Sequence, residues 1–253
     1  MSTSLPNIIA CIVVYNDIEL LPDCLKSLER ADRIIIVDGA YKEYPHEKPY
    51  STDGTIELIK KLARNDKRID LIECKKAWKD EIEKRNACFQ GTKGDWYLII
   101  DSDEVLGGKT VEQTGITPLR QFLETSDADC VEMPIYSPFE GGYDRAPRVF
   151  RHRDNISYRY THYLIFYGEE LWKTHPVDVF DGATLWHMPH VRSKDRKEKM
   201  TEYGKKLTIS ELDTLEGLIK HATDHELDKD STDHLDKLRV RHRDWMEKRG
   251  WLS

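Results

Sequence analysis

Two carboxylates two residues apart, Asp101 and Asp103, close an uninterrupted apolar run, Tyr97-Leu98-Ile99-Ile100. Such a pair can share one divalent cation, and Mg²⁺ or Mn²⁺ held by oxygen ligands keeps positions open for phosphate oxygens. The plainer alternative is an acidic turn, Asp101-Ser102-Asp103-Glu104, that caps the next segment. Asp38 stands at the end of a second apolar run, Ile34 to Val37. A carboxylate there can accept a hydrogen bond from a base N–H or a ribose hydroxyl, or serve as an ordinary turn aspartate before Gly39. Arg85 recurs with Trp78, Ile82 and Phe89 at helical spacing, on a stripe where an unpaired guanidinium is costly to bury. It can reach a diphosphate, pair with a carboxylate such as Asp101, or snorkel to water.

The elements that must position these groups alternate between two periodicities over the first hundred residues. Ile8–Val14, Ile34–Val37, Ile69–Ile72 and Trp96–Ile100 are short apolar runs of the kind buried on both faces of a parallel sheet. Between them, Leu21, Cys24, Leu25 and Leu28, then Ile56, Ile59, Leu62 and Ala63, and then residues 80–90 repeat at helical spacing. The pattern predicts an α/β fold with a mostly parallel central sheet flanked by helices. Ligands bind beyond the carboxyl ends of such strands. There the sequence sets Tyr15-Asn16-Asp17, Asp38-Gly39 and Asp101-Ser102-Asp103. Ser51-Thr52-Asp53-Gly54-Thr55 reads as the cap of the second helix.

Beyond residue 104 the pattern is mixed. A short helix is expected near Pro118, and strands over Cys130–Ile135, Ala146–Phe150, Tyr158–Phe166 and Ala183–His187. From Lys194 to Arg249 the chain is strongly charged and helical in character, with Leu207, Leu212, Leu215 and Leu218 as a narrow packing face. That extension either covers the core or meets a partner. The division expected is a catalytic-type domain over 1–190, its halves 1–104 and 105–190, followed by a helical extension over 191–253.

Across 253 residues the net charge is −7, which argues against a general nucleic-acid binder, since that role needs a basic footprint. The five cysteines are scattered, with no CxxC pair, so free thiols in a reducing compartment are expected. No run approaches the length of a membrane span, and the opening MSTSLPNIIA lacks the basic region of a secretory leader. A cytoplasmic location is the expectation.

Taken together, ACIVVYND, IIIVDGA, STDGTIELIKK and KRNACFQGTKGDWYLIIDSDE, within Ile8–Glu104, resemble the inverting family 2 glycosyltransferases of the GT-A fold. The form of these motifs is similar to the branch that includes bacterial lipopolysaccharide-core transferases. The resemblance implies a nucleotide-diphospho-sugar donor, with a UDP-sugar favoured, and a glycan or other hydroxyl acceptor. It implies Mn²⁺ or Mg²⁺ as cofactor. It also implies that Tyr15 and Asp38 line the nucleoside pocket, Arg85 sits near the diphosphate, Asp101 lies by the ribose or metal, and Asp103 is the principal metal ligand. Pro147-Arg148-Val149-Phe150-Arg151 looks like the PRLFR segment of that branch, and Leu185-Trp186-His187 is similar to a late histidine that completes the metal or diphosphate site. His187 is expected to be neutral at pH 7.

The chain departs from the family pattern in two places. KEYPHEKPY lengthens the loop between Gly39 and Ser51, and the usual catalytic-base carboxylate is not evident. His162 is the candidate base, with Glu140 and Asp144 as rivals. Two other classes compete. A nucleotidyltransferase needs a glycine-rich, basic loop after the first strand, where Val14-Tyr15-Asn16-Asp17 stands instead. A non-catalytic nucleotide-sugar-binding or scaffold protein would keep the fold and release no nucleoside diphosphate.

Overall fold

The computed structural model describes residues 5–108, 110, 113–138, 142–161, 164–189, 192–224 and 229–249. Its first half alternates strand and helix: β1 (Ile8–Val14), α1 (Leu21–Ser27), β2 (Arg33–Asp38), α2 (Thr55–Asn65), β3 (Ile69–Ile72), α3 (Glu81–Ala87) and β4 (Trp96–Ile99). These strands pair in parallel in the order β3-β2-β1-β4. Every residue of β4 is buried, as its unbroken apolar run requires. Pro22 sits in the first turn of α1, where its missing N–H costs nothing.

The second half comprises β5 (Glu104–Gly107), α4 (Ile116–Leu123), β6 (Cys130–Ser137), β7 (Gly142–Arg151), β8 (Ile156–Tyr158), β9 (Ile165–Tyr167), β10 (Glu170–Leu171), β11 (Val177–Val179) and β12 (Thr184–His187). The main sheet continues from β4 through β7, β6 and β12 to β5, with β11 on β6; β4–β7, β7–β6 and β12–β5 are antiparallel, and the parallel pairs remain the majority over the whole sheet. The single strand expected over Tyr158–Phe166 is instead a break between β8 and β9. Tyr160 turns the chain at φ 66°, and the two short strands pair antiparallel beside β10 in a separate three-stranded sheet. Strand β5, directly after the acidic cluster, was not expected.

Two apolar layers cover the sheet. One holds α1, α2 and α4 against Ile8, Ile12, Ile34, Trp96 and Leu98; the other sets Tyr97, Phe150, Tyr158 and Trp172 against the opposite face. The extension forms α5 (Lys194–Asp224) and α6 (Lys229–Lys248). Leu215 and Leu235 join the second layer, so the extension covers the core. All five cysteines are free. Among the described residues no helix is long and apolar enough to cross a membrane.

The carboxyl ends of β1 and β2 are fastened together from below by Lys84 of α3. Its buried Nζ donates to Val14 O at 2.8 Å and Gly39 O at 2.6 Å, and it lies 5.0 Å from the centre of the Tyr41 ring. Gly39 needs to be glycine. Its φ is +130°, and a Cβ there would stand 2.6 Å from Cys74 Sγ and 2.8 Å from Trp78 Nε1. Burial pulls the Lys84 amine down from its usual 10.5 to about 8, against the attraction of Asp38 and Glu81. The unfolded chain therefore binds more protons between those two values, and native stability gains from this group as pH rises through that window. Lys84→Met is predicted to cost about 2 kcal/mol by leaving buried carbonyls without a donor. Urea unfolding of both proteins at pH 7 and pH 10 checks this, and the gap between them is expected to widen at the higher pH.

Candidate active site

Because β1, β2 and β4 are parallel, their trailing loops open on one edge, and the structure brings Asp17, Asp38, Asp101 and Asp103 there. The segment before α2 fastens these loops. Residue Gly54, at φ 100°, occupies the cap position of α2 and contributes no side chain. The neighbouring polar groups instead reach across to β1. Ser51 Oγ accepts from Asn16 N at 2.7 Å, Thr55 Oγ1 accepts from Asp17 N at 2.9 Å, and Asp53 Oδ2 accepts from Ile18 N at 3.0 Å. The segment both caps α2, through Asp53 Oδ1 accepting from Thr55 N at 3.0 Å, and ties together the loops that follow β1 and β2.

Asp38 is fully buried. Its Oδ1 accepts from Ser51 Oγ at 2.5 Å and its Oδ2 from Ser51 N at 3.1 Å. Burial raises its carboxyl, with the Ser51 hydrogen bonds and Lys84 pulling the other way. The Tyr15 hydroxyl donates to Lys48 O at 2.9 Å, and its ring meets Tyr44 edge-on at 5.7 Å. The lengthened loop therefore lies directly over Tyr15. Tyr203 of α5 stacks on Tyr41 at 5.7 Å and meets Tyr44 at 5.3 Å, closing that side.

At the end of β4 the carboxylates are matched by arginines. Arg85 donates from Nη2 to Asp101 Oδ1 at 2.8 Å and from Nε to Glu81 Oε1 at 2.8 Å, so it is a paired rather than a snorkelling arginine. Arg148 of β7 lies 3.5 Å from Asp101 Oδ2 and 2.7 Å from Glu104 Oε1. Burial opposes the charge on Asp101, but Arg85 and Arg148 prevail and hold its carboxyl down at about 2. Glu104 goes the other way: burial lifts it to about 7 despite Arg148.

Asp103 faces different partners. Its Oδ2 stands 3.2 Å from His187 Nε2 and 2.5 Å from Arg192 Nη1. Although burial opposes its charge, Arg192 and His187 hold it well below the usual carboxylate range. Burial would keep His187 neutral, yet the Asp103 hydrogen bond and charge raise it to about 9. The imidazole expected to be neutral at pH 7 is thus pulled toward its protonated form, with Glu104 and Asp101 adding to the effect of Asp103. Ser137 Oγ lies 3.2 Å from His187 Nδ1 and orients the ring.

Among the described residues no three His, Cys, Asp or Glu side chains converge as a cation cage. Two donors do converge: Asp103 Oδ2 and His187 Nε2 are 3.2 Å apart. Adjacent ligands of an octahedral divalent ion stand about 3 Å apart, and such ions take one or two protein ligands plus substrate phosphates. The pair can take that role only once Arg192, whose Nη1 lies 2.5 Å from the same Oδ2, gives that oxygen up; Ser137 meets His187 Nδ1, as a ligating imidazole requires. Asp101 is turned to Arg85 and Arg148 and does not share this position.

The most prominent groups that the sequence did not single out are Arg192 and Arg196. Arg192 sits 2.8 Å from Asp17 Oδ2 through Nη2, and Arg196 donates to Tyr15 O at 2.7 Å. Asp17 also accepts a short hydrogen bond from Ser102 Oγ. The proposed bases fare differently. His162 and Glu140 lie outside the described residues. Asp144 is on β7, four residues or about 13 Å along the strand from Arg148, and pairs with Arg241 of α6.

Residues 9–176, more than half of the chain, match the model of glycosyl transferase family 2. The chain belongs to this family. Over 157 residues it is 26% identical to the SPbeta prophage-derived glycosyltransferase SunS of Bacillus subtilis, covering 60% of this chain and 33% of that protein. A TPR repeat-containing protein of Synechococcus elongatus is 25% identical over 197 residues, covering 76% of this chain and 43% of that one. This family 2 chain thus spans less than half the length of either relative. Among solved structures, Staphylococcus aureus TarS 1–349 with UDP-GlcNAc superposes with a TM-score of 0.57 at 13% identity, covering 81% of this chain and 66% of that one. The same protein with UDP gives 0.54 at 11% identity, covering 95% and 71%. The GT-A fold expected from the sequence is the fold observed.

The Arg148–Glu104 contact gives this family 2 site a stability test. The two side chains are 15% and 2% exposed, so without the arginine Glu104 must either carry an unpaired buried charge or take up a proton. Arg148→Met is predicted to cost about 3 kcal/mol. Adding Glu104→Gln should recover more than half of that loss, and a double-mutant cycle from urea unfolding at pH 8 measures both.

Proposed function

We propose that this family 2 glycosyltransferase moves a sugar from a UDP-sugar to an acceptor hydroxyl with inversion, assisted by Mn²⁺ or Mg²⁺ at Asp103 and His187. The observation that carries the reading is the convergence of Asp103 Oδ2 and His187 Nε2 at 3.2 Å, at the edge where the parallel strands end. The fold shared with TarS, solved with UDP and with UDP-GlcNAc, supports a uridine donor. When bound, the cation neutralises charge that grows on the diphosphate leaving group.

The chain's own residues supply the rest. Asp103 and His187 hold the diphosphate side. Arg85, fixed between Glu81 and Asp101, adds positive field beside it without needing to reorganise. Tyr15 and the loop over Asp38 bound the nucleoside and exclude water. The acceptor's proton passes to a base on the opposite side of the sugar, for which His162, Glu140 and Asp144 are the candidates. We take the acceptor to be a glycan or another hydroxyl compound and place the reaction in the cytoplasm. Free thiols at all five cysteines agree with a reducing compartment.

Asp103→Asn is predicted to lower turnover of UDP-sugar by about 100-fold or more. It should also remove the dependence of UDP affinity on Mn²⁺ in calorimetry. Full turnover in that variant after chelation of metal would refute the assignment. Slow release of UDP from donor in the wild type, without acceptor, separates a catalyst from a binding protein, which releases none.

A further inference from the structure

The second apolar layer covers one face of β1 and β4, and on β6 it reaches no further than Cys130. Beyond that point the same face continues over β6 and β12, and the period of two fixes which residues lie on it. Met133, Ile135 and Leu185 pack in the first layer, so Pro134, Tyr136, Thr184 and Trp186 stand on the other side. The register sets Trp186 beside Tyr136, and Arg145 of β7 beside Pro134. Both aromatic residues are half-buried, and their rings meet edge-on, 5.1 Å apart at 85°. Next to them, Pro134, Thr184, Arg145, Asp144 and Asp181 line a cavity of about 570 Å³. Small-molecule pockets fall in the same range, about 300–1,000 Å³. Thr184 lies three residues before His187, about 10 Å along the strand, with Trp186 on the cavity's face between them. Pro134 lies as far from Ser137, whose Oγ is 3.2 Å from His187 Nδ1. Cavity and aromatic pair form one track that ends beside His187 and Asp103.

We propose that this track is the acceptor subsite, that it takes a neutral sugar, and that Trp186 and Tyr136 orient that sugar toward the donor. The inference rests on the transferase reading of the edge at Asp103 and His187, and names the chemical class of the acceptor. Two observations select the class. First, the charges around the cavity are matched in pairs. Arg145 Nη2 lies 2.5 Å from Asp181 Oδ1, and Asp144 pairs with Arg241. A phosphorylated or amino acceptor therefore meets no net field of opposite sign to favour it. Second, the lining divides into flat apolar rings and hydrogen-bonding groups that both donate and accept. Trp186 and Tyr136 give the rings; the carboxylates, the guanidinium and the Thr184 hydroxyl give the rest. A pyranose has the same division, with C–H groups on its faces and hydroxyls around its rim.

Nuclear magnetic resonance of the full chain with UDP present tests this. The probes are the methyl glycosides of glucose, galactose and N-acetylglucosamine, with glucose 6-phosphate as the charged control. The indole N–H signal of Trp186 is identified by its loss in Trp186→Phe. At least one methyl glycoside is expected to shift that signal, with a Kd of about 1–10 mM. Trp186→Ala is expected to weaken its binding about tenfold, and Trp186→Phe, which keeps a ring, by no more than about threefold. Three results overturn the inference: no methyl glycoside binds, one binds Trp186→Ala as tightly as wild type, or glucose 6-phosphate binds more tightly than all of them. Each of these leaves the donor reading standing, which fails separately if the chain takes up no UDP. A glycoside seated at Trp186 in a chain that binds no UDP supports the sugar subsite alone. Should Trp186→Ala fail to fold, Asp181→Ala, at an exposed ion pair, carries the test: it is expected to weaken the same glycoside about threefold, and unchanged affinity overturns the inference.

Discussion

Anionic side chains crowd the carboxyl edge of the sheet, and the fold has to neutralise them where water does not reach. Asp17, Asp38, Asp103 and Glu104 are all at most 7% exposed, and Asp101 stands beside them. An isolated buried carboxylate costs several kcal/mol, so each must find a cation or a set of donors. Lys84 and Arg85 come from α3, Arg148 from β7, and Arg192 and Arg196 from the start of the extension. Four separate parts of the chain, counting the Ser51–Thr55 tie, are drawn to one edge by this requirement.

The same requirement prepares the edge for a charged ligand. Asp101 is committed to structure: Arg85 and Arg148 hold it, and its backbone N–H donates to Glu104 Oε2 at 2.9 Å. Asp103 is held by an imidazole and an arginine instead. Of the two acidic residues in the motif, one is tied to α3 and β7 and the other to His187 and Arg192. Asp38, buried under Ser51, is likewise structural: its carboxylate anchors the end of the lengthened loop.

Strands β1 to β4 were legible because each is an apolar run followed directly by a polar cluster, and parallel pairing then fixes all those clusters on one edge. Strand β5 was not, since Glu104-Val105-Leu106-Gly107 carries two apolar residues and adjoins the acidic turn. The β8–β9 break hid in a run of aromatics, because nothing in Tyr160 announces a left-handed backbone. The aspartates were found by their positions at strand ends, and Arg85 by its place on an apolar stripe. Arg192 and Arg196 were missed because they lie in a stretch where nearly every residue is charged. A buried arginine cannot be told from a solvated one there without knowing which carboxylates lack partners. Asp17, buried and without a lysine or arginine from the nucleotide-binding half, was that signal. For His187 the residue type alone points to a neutral imidazole, whereas Asp103, with Glu104 and Asp101 behind it, pulls it toward protonation in the fold.

The central claim is that Asp103 and His187 together receive a cation that also meets the donor's diphosphate. Crystals grown with Mn²⁺ and UDP, measured at the manganese absorption edge, test it most directly. The expected result is an anomalous peak at coordination distance from Asp103 Oδ2 and His187 Nε2, with a diphosphate oxygen on the same ion. Bound UDP with the manganese peak elsewhere, or with Asp103 and His187 still facing each other across an empty contact, would contradict it.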